Sequence, residues 1–128
     1  MRSSCLLLIE HDAGVRDSIC RALRGAGFLV MPIADVDEAI DLLCLVSFDL
    51  VLADVGSLRY TTERRDGLAA MLHVLRATPL LRFSTAGPQD AGDPGGALAL
   101  DQPARDLPVL LDAVQRAVAA PRLSDARR

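Results

Sequence analysis

Residues 5–12 read CLLLIEHD, a run of five apolar residues that ends abruptly in two acids around a histidine. An unbroken apolar run of this length is typical of a strand that is covered on both faces, as in a parallel sheet. Residues 12–26 then space their apolar side chains three and four apart, which predicts an amphipathic helix. Gly27 follows at the position that favours a helix end. The first 27 residues therefore predict a strand followed by a helix.

The same alternation recurs along the chain. Apolar runs predict strands at residues 5–9, 28–31, 50–53, 80–84 and 97–100. Helical spacing predicts helices at residues 12–26, 35–46, 66–77 and 105–120. Pro32 is expected to end the second strand, and Asp35 to cap the second helix. Residues 87–96, between the fourth and fifth predicted strands, read GPQDAGDPGG, which is turn chemistry. The helix that the alternation would place there, the fourth in chain order, is therefore expected to be short or missing.

Strands that alternate with helices predict an α/β fold, a parallel sheet with helices on both faces. Right-handed crossovers leave few topologies, and the flavodoxin-like, doubly wound, five-stranded order 2-1-3-4-5 is the common one at this size. Residues 1–121 are expected to form one domain, with residues 122–128 a frayed tail or the start of a linker.

The composition excludes several classes of protein. The 128 residues carry a formal net charge of −3, and all 14 basic residues are arginines. This charge balance excludes a strongly basic nucleic-acid binder and offers no membrane-surface patch. No apolar stretch approaches the ~18 residues that span a bilayer. The three cysteines are predicted to be small buried side chains in a reducing cytoplasm.

Functional sites of such sheets lie beyond the carboxyl ends of the strands. The polar residues at these ends are Glu10, His11, Asp12, Asp54, Ser84, Thr85, Asp101 and Gln102. Together they predict an oxygen-lined pocket for a hard cation such as Mg²⁺. A carboxylate beside a cation is also a candidate phosphoryl acceptor. For Asp54 we favour a functional role over a structural one. For Asp12 we favour the alternative, a cap on the first helix.

Four segments resemble the receiver domain of bacterial response regulators: LLLIEHDAGVR (6–16), FDLVLAD (48–54), PLLRFSTAG (79–87) and QP (102–103). The resemblance spans nearly the whole chain. It implies a cytoplasmic module of two-component, phosphorelay signal transduction rather than an enzyme. It also implies a histidine kinase or phosphotransfer protein as phosphoryl donor, a downstream protein partner, and a homodimer surface on the last strand and helix.

The resemblance also implies a role for each matching residue. Asp54 matches the phosphoryl acceptor, and Glu10 matches the first of two acids that hold Mg²⁺. In this chain the resemblance implies that Glu10, Asp54 and the backbone carbonyl of Gly56 hold the ion. Either Ser84 or Thr85 matches the hydroxyl that senses the phosphoryl group. The spacing from Pro79 favours Ser84, while the Thr-Ala pair favours Thr85.

The chain departs from the family pattern at two of these positions. His11 occupies the place of the second acid, which weakens the expected Mg²⁺ site and leaves Asp12 as a substitute ligand. Gln102 occupies the place of a lysine, and an amide donates a hydrogen bond without charge. His11 is either a protonated partner of Asp54 that replaces the lysine, or a neutral histidine at the rim.

These departures define the alternatives to a phosphorylated receiver. The first is a phosphorylation-independent pseudo-receiver, an interaction module with the same fold. The second is a small hydrolase that uses Asp54, which has little support because no general base or charged phosphate clamp is identifiable in the sequence.

Overall fold

The computed structural model describes residues 3–54, 74–75, 78–84, 98–99 and 103–119. Within these residues the strands are β1 (Cys5–Ile9), β2 (Leu29–Ile33), β3 (Leu50–Asp54), β4 (Leu80–Ser84) and β5 (Leu98–Ala99). The helices are α1 (Ala13–Gly25), α2 (Val36–Leu45) and α3 (Pro103–Ala119). All neighbouring strands are parallel, in the order β2-β1-β3-β4-β5. The predicted sheet and its strand order are confirmed.

Each face of the sheet packs against its own helices because successive strand residues point to opposite faces. On one face α2 covers a cluster that includes Leu7, Ile9, Val36, Ile40, Val51 and Ala53. On the other face α1 and α3 cover a cluster that includes Leu6, Leu8, Ile19, Leu52, Phe83 and Leu110. Helices therefore lie on both faces, as the sequence predicts. The predicted loss of a fourth helix concerns residues 87–96, which lie outside the described residues.

Two element boundaries correct the prediction. β2 continues through Pro32 to Ile33, so the prediction that Pro32 ends the strand was wrong. β2 is an edge strand, and a proline is tolerated there because its missing N–H can lie on the unpaired side. α3 begins at Pro103, two residues before the predicted start at Arg105. A proline is favoured at the first helical position, where its N–H would have no partner anyway.

Asp12 and Asp35 cap the first two helices. Oδ1 of Asp12 accepts a hydrogen bond from the Val15 amide at 3.0 Å, and Oδ1 of Asp35 accepts one from the Glu38 amide at 2.8 Å. Gly27 adopts a φ of 98°, the left-handed conformation that glycine tolerates after a helix end. Both predicted caps and the predicted end of the first helix are confirmed. The cap at Asp12 fixes where α1 leaves the edge of the sheet.

The cysteines agree with the prediction only in part. Cys20 is buried and Cys5 is half-buried, whereas Cys44 is exposed in the last turn of α2. The prediction of a buried Cys44 was wrong because this turn lies outside the core, as its exposed neighbour Leu45 also shows. Burial, with the Asp49 charge as the second cause, raises the pKa of the Cys5 thiol. Across the described ranges, no helix combines the length and apolar character that crossing a membrane requires.

Candidate functional site

Glu10 and Asp54 lie side by side at the carboxyl edge of the two central strands. Ile9 and Ala53 are paired across the parallel β1–β3 ladder, so the next residue of each strand is Glu10 or Asp54. Both residues are buried, with exposed fractions of 1% and 3%. Charged residues are rarely buried to this degree unless they are paired. The sheet therefore brings together the two carboxylates that the sequence singled out.

The backbone around Glu10 is fully engaged, but its carboxylate is not. Oε1 accepts a hydrogen bond from the Asp12 amide at 3.1 Å. The Glu10 amide donates to the Ile33 carbonyl, and the Glu10 carbonyl accepts from the Arg16 guanidinium at 2.8 Å. Oε2 is buried and finds no hydrogen-bond partner among the described residues. A buried acceptor without a partner destabilises the fold, so this oxygen points to a ligand that would satisfy it.

His11 bridges the two carboxylates from the solvent side. Its Nδ1 lies 3.5 Å from Oε1 of Glu10 and 3.6 Å from Oδ2 of Asp54. Its side chain is 49% exposed, so the imidazole lies at the rim and still reaches Asp54. The imidazole is thus at the rim and beside Asp54, and its role as a protonated partner or as a neutral histidine stays a prediction. A ligand atom from each of the three residues lies within 4.8 Å of the other two.

The surroundings of Glu10 favour its protonated form. Burial raises the pKa of this carboxyl to about 7, from an ordinary value of 4.5. The hydrogen bond from the Asp12 amide lowers it, the charges of Asp54 and Asp12 raise it further, and the charge of Arg16 lowers it. Burial dominates because an ionised carboxylate loses its hydration there. A strongly shifted carboxyl beside a second buried acid is typical of a functional site.

Asp12 is not part of this cluster. It is exposed, its Oδ1 accepts the Val15 amide in the cap of α1, and the described cluster comprises Glu10, His11 and Asp54 alone. The predicted capping role is therefore observed. The role of Asp12 as a substitute metal ligand has no support in the described residues.

Most of the other predicted site residues are not among the residues that the structure describes. Gly56, Thr85 and Gln102 lie outside the described residues, as do the loop after Asp54 and residues 120–128. Ser84 is the last residue of β4, one position beyond Phe83, which pairs with Asp54 across the β3–β4 ladder. Its backbone is at the same edge of the sheet as Asp54, while its side chain is outside the description. The roles of these residues stay predictions.

Arg16 is a site residue that the sequence analysis missed. Its guanidinium reaches back from the first turns of α1 to the Glu10 carbonyl, and its charge lowers the pKa of the Glu10 carboxyl. The signal in the sequence is weak: an arginine six residues after a strand-end acid, in the first turns of the next helix. Arg16 positions the strand end rather than completing the cluster.

Comparisons with known proteins agree on the fold. No family model and no curated protein matches the sequence. The chemotaxis response regulator CheY4 of Vibrio cholerae is 22% identical, with a TM-score of 0.64 over 91% of this chain and 99% of that chain. A response regulator from Thermotoga maritima is 19% identical, with a TM-score of 0.70 over 93% and 100%. The signal receiver domain of a histidine kinase from Syntrophus aciditrophicus is 20% identical, with a TM-score of 0.71 over 91% of each chain.

At these identities the likeness shows the fold: this chain has the fold of response regulator receiver domains. Receiver domains typically bind Mg²⁺. The carboxylates of Glu10 and Asp54 suit such an ion, because Mg²⁺ prefers hard oxygen ligands. The imidazole of His11 does not suit it, because nitrogen donors favour transition metals. The cluster therefore fits Mg²⁺ at two of its three positions.

Proposed function

We propose that this chain acts as an atypical receiver domain in a two-component phosphorelay, with Asp54 as the phosphoryl acceptor. The observation that carries the proposal is the buried pair of carboxylates at the ends of the two central strands, in a receiver fold. In parallel α/β sheets this edge is where ligands bind. Asp54 is the last residue of β3 and lies beside Glu10, with the His11 imidazole 3.6 Å from its Oδ2.

The proposed step is a transfer of one phosphoryl group. An oxygen of the Asp54 carboxylate attacks the phosphorus of a phosphohistidine, forms a P–O bond and becomes an acyl phosphate. The P–N bond to the donor breaks, and the donor imidazole keeps the electron pair and takes up a proton. Because the phosphoryl group stays on the chain in a one-to-one transfer, Asp54 acts as a nucleophile that stores the group rather than as an enzyme that turns over substrate.

Two features make the proposed receiver atypical. No lysine exists in the chain to bind the new phosphoryl oxygens, and Gln102 contributes a neutral donor at that position. His11 stands where a second acid would stand, 3.6 Å from the acceptor. The resulting signal is proposed to pass through Ser84 or Thr85 to a downstream protein. The surface formed by β5 and α3 is proposed to bind that partner or a second copy of the chain.

Intact-mass spectrometry tests the acceptor directly. The chain is incubated with phosphoramidate and Mg²⁺, as wild type, Asp54→Asn and Asp49→Asn. The Asp49→Asn variant is a matched control because it removes the same charge just before the other end of β3. We expect one added phosphoryl group in wild type and in the control, and none in Asp54→Asn. Modification of Asp54→Asn would refute the assignment.

A second function, a phosphorylation-independent pseudo-receiver, is favoured by one observation. The side chain of Asp54 is only 4% exposed and already lies beside the His11 imidazole. If the imidazole carries a proton, its charge beside the unmodified acceptor would hold the site in a single state. This alternative predicts that wild type remains unmodified by phosphoramidate and by a histidine kinase. It then replaces the first proposal, and the chain acts through its partner binding alone.

A further inference from the structure

We infer that Glu10, His11 and Asp54 form a binding site for a borderline divalent transition-metal ion, represented by Zn²⁺, in preference to Mg²⁺. The inference deepens the proposed function by naming the ion, and it rests on that proposal only in using the same edge of the sheet. Its test contains no phosphodonor. Failure of metal binding and failure of phosphorylation are therefore separate results.

The spacing of the three side chains supports a small, closely held ion. In a tetrahedral zinc site with ligands at about 2.1 Å, neighbouring ligand atoms lie about 3.4 Å apart. Nδ1 of His11 is 3.5 Å from a Glu10 oxygen and 3.6 Å from an Asp54 oxygen. Two of the three distances between ligand atoms thus match those between neighbouring ligands of a tetrahedral zinc ion. All three ligand atoms lie within 4.8 Å of one another.

The donor types favour a transition metal over Mg²⁺. Mg²⁺ requires near-octahedral oxygen ligands and gives up its water reluctantly. Zn²⁺ takes histidine nitrogen and carboxylate oxygen together, and catalytic zinc sites commonly use three protein ligands with an open position. Two carboxylates and one imidazole supply that set. When both are ionised, the two carboxylates also balance the charge of the ion at this buried edge.

A second, independent observation points to a ligand at this place. Glu10 is 1% exposed, and its Oε2 has no hydrogen-bond partner among the described residues. The other oxygen of the same carboxylate accepts the Asp12 amide, which holds the group in place beside His11. An ion that binds both oxygens of this carboxylate would satisfy Oε2 as well as contact Oε1, the oxygen that lies 3.5 Å from His11 Nδ1. The half-exposed imidazole provides an entry path from solvent, because it is the outermost of the three ligands.

Isothermal titration with Zn²⁺ alone, in a buffer that does not chelate metals, tests the inference. We expect one Zn²⁺ per chain in wild type, retained in a large excess of Mg²⁺. His11→Ala should weaken Zn²⁺ binding by at least about tenfold, since even the outer partners of a metal ligand are worth that much. His11→Asp restores an all-oxygen set, so it should weaken Zn²⁺ binding and strengthen Mg²⁺ binding relative to wild type.

Two control variants exclude other zinc ligands. Cys44→Ser removes the exposed thiol, and His73→Ala removes the other histidine of the chain; both should bind Zn²⁺ as wild type does. Thermal unfolding with and without Zn²⁺ checks that each variant folds, and the ion should raise the melting temperature of wild type but not of His11→Ala. With Co²⁺ as probe, a thiolate charge-transfer band would assign the ion to a cysteine. Three results would overturn the inference. They are such a thiolate band, a wild type that does not bind Zn²⁺, and a His11→Ala variant that binds Zn²⁺ as tightly as wild type does.

Discussion

The two central strands, β1 and β3, are buried along almost their whole length. Their interior positions carry apolar side chains, whereas their carboxyl ends carry acids. Leu8 and Leu52 have no exposed surface, and two residues further along Glu10 and Asp54 are 1% and 3% exposed. In the interior, burial removes apolar surface from water and stabilises the sheet. At the ends, the same burial strips two carboxylates of hydration. The chain thus keeps two carboxyl groups at the strand ends where burial is unfavourable, a pattern that is typical of functional sites.

Truncation of a core side chain should produce the largest effect on stability. Phe83 is fully buried in the cluster between the sheet and helices α1 and α3. Phe83→Ala should lower the free energy of unfolding by about 3–5 kcal/mol, because it removes apolar contacts and leaves a cavity. Urea denaturation measures the change, and Val109→Ala, at a 51% exposed position on α3, is the matched control. A loss below about 1 kcal/mol in Phe83→Ala would contradict the assigned core.

Removal of the charge on Glu10 should produce the next largest effect, with the opposite sign. The pKa of Glu10 is about 7 in the folded protein, above its ordinary value of 4.5. The folded state therefore holds the proton more tightly, so this contribution to stability is complete below about pH 4.5 and is lost as the pH rises through about 7. Without a bound metal ion, Glu10→Gln should exceed wild type in stability above pH 7, by up to about 3 kcal/mol.

Urea denaturation of wild type and Glu10→Gln at several pH values between 4 and 9, in the presence of a chelator, checks this prediction. Glu38→Gln is the matched control, since it makes the same chemical change at an exposed position of α2. The stability difference between Glu10→Gln and wild type should grow as the pH rises, whereas Glu38→Gln should follow wild type. A pH-independent difference would contradict the buried, protonated Glu10.

The sequence predicts the placement of the two carboxylates well, because it depends on strand length and periodicity. Five apolar residues followed by Glu10, and an apolar run ending at Asp54, fix both strand ends once the strands are parallel neighbours. The continuation of β2 through Pro32 was not predictable from the local pattern, because it depends on β2 lying at the sheet edge. The hydrogen bond from Arg16 to the Glu10 carbonyl likewise depends on how α1 packs.

The position of His11 shows the same limit within the site. From its position in the sequence, His11 is predicted only to follow Glu10 at the edge of the sheet. The two distances of 3.5 and 3.6 Å arise from the turn between β1 and α1, which the Asp12 cap holds. The roles open to His11 could be stated from the sequence, but the bridge to both carboxylates required the structure.

Replacement of Asp12 should give the smallest of these effects and separates the cluster from its immediate neighbour. Asp12→Ala removes the acceptor for the Val15 amide at the start of α1, which should cost about 1 kcal/mol of stability. Asp35→Ala removes the equivalent acceptor for the Glu38 amide in α2, far from the carboxylates in sequence, so the two losses should be similar. Asp12→Asn keeps a capping oxygen and should remain close to wild type.

The same three variants also show whether Asp12 acts only as a cap. Its carboxylate is exposed and engaged with α1, so Zn²⁺ affinity should be nearly unchanged in Asp12→Asn, while phosphoramidate should still modify this variant. A loss of metal binding in Asp12→Asn without a loss of stability would make Asp12 a ligand and enlarge the cluster. Equal stability losses in Asp12→Ala and Asp35→Ala, with Zn²⁺ binding retained in Asp12→Asn, would confine the metal-binding cluster to Glu10, His11 and Asp54, because Asp12 then serves only as the cap of α1.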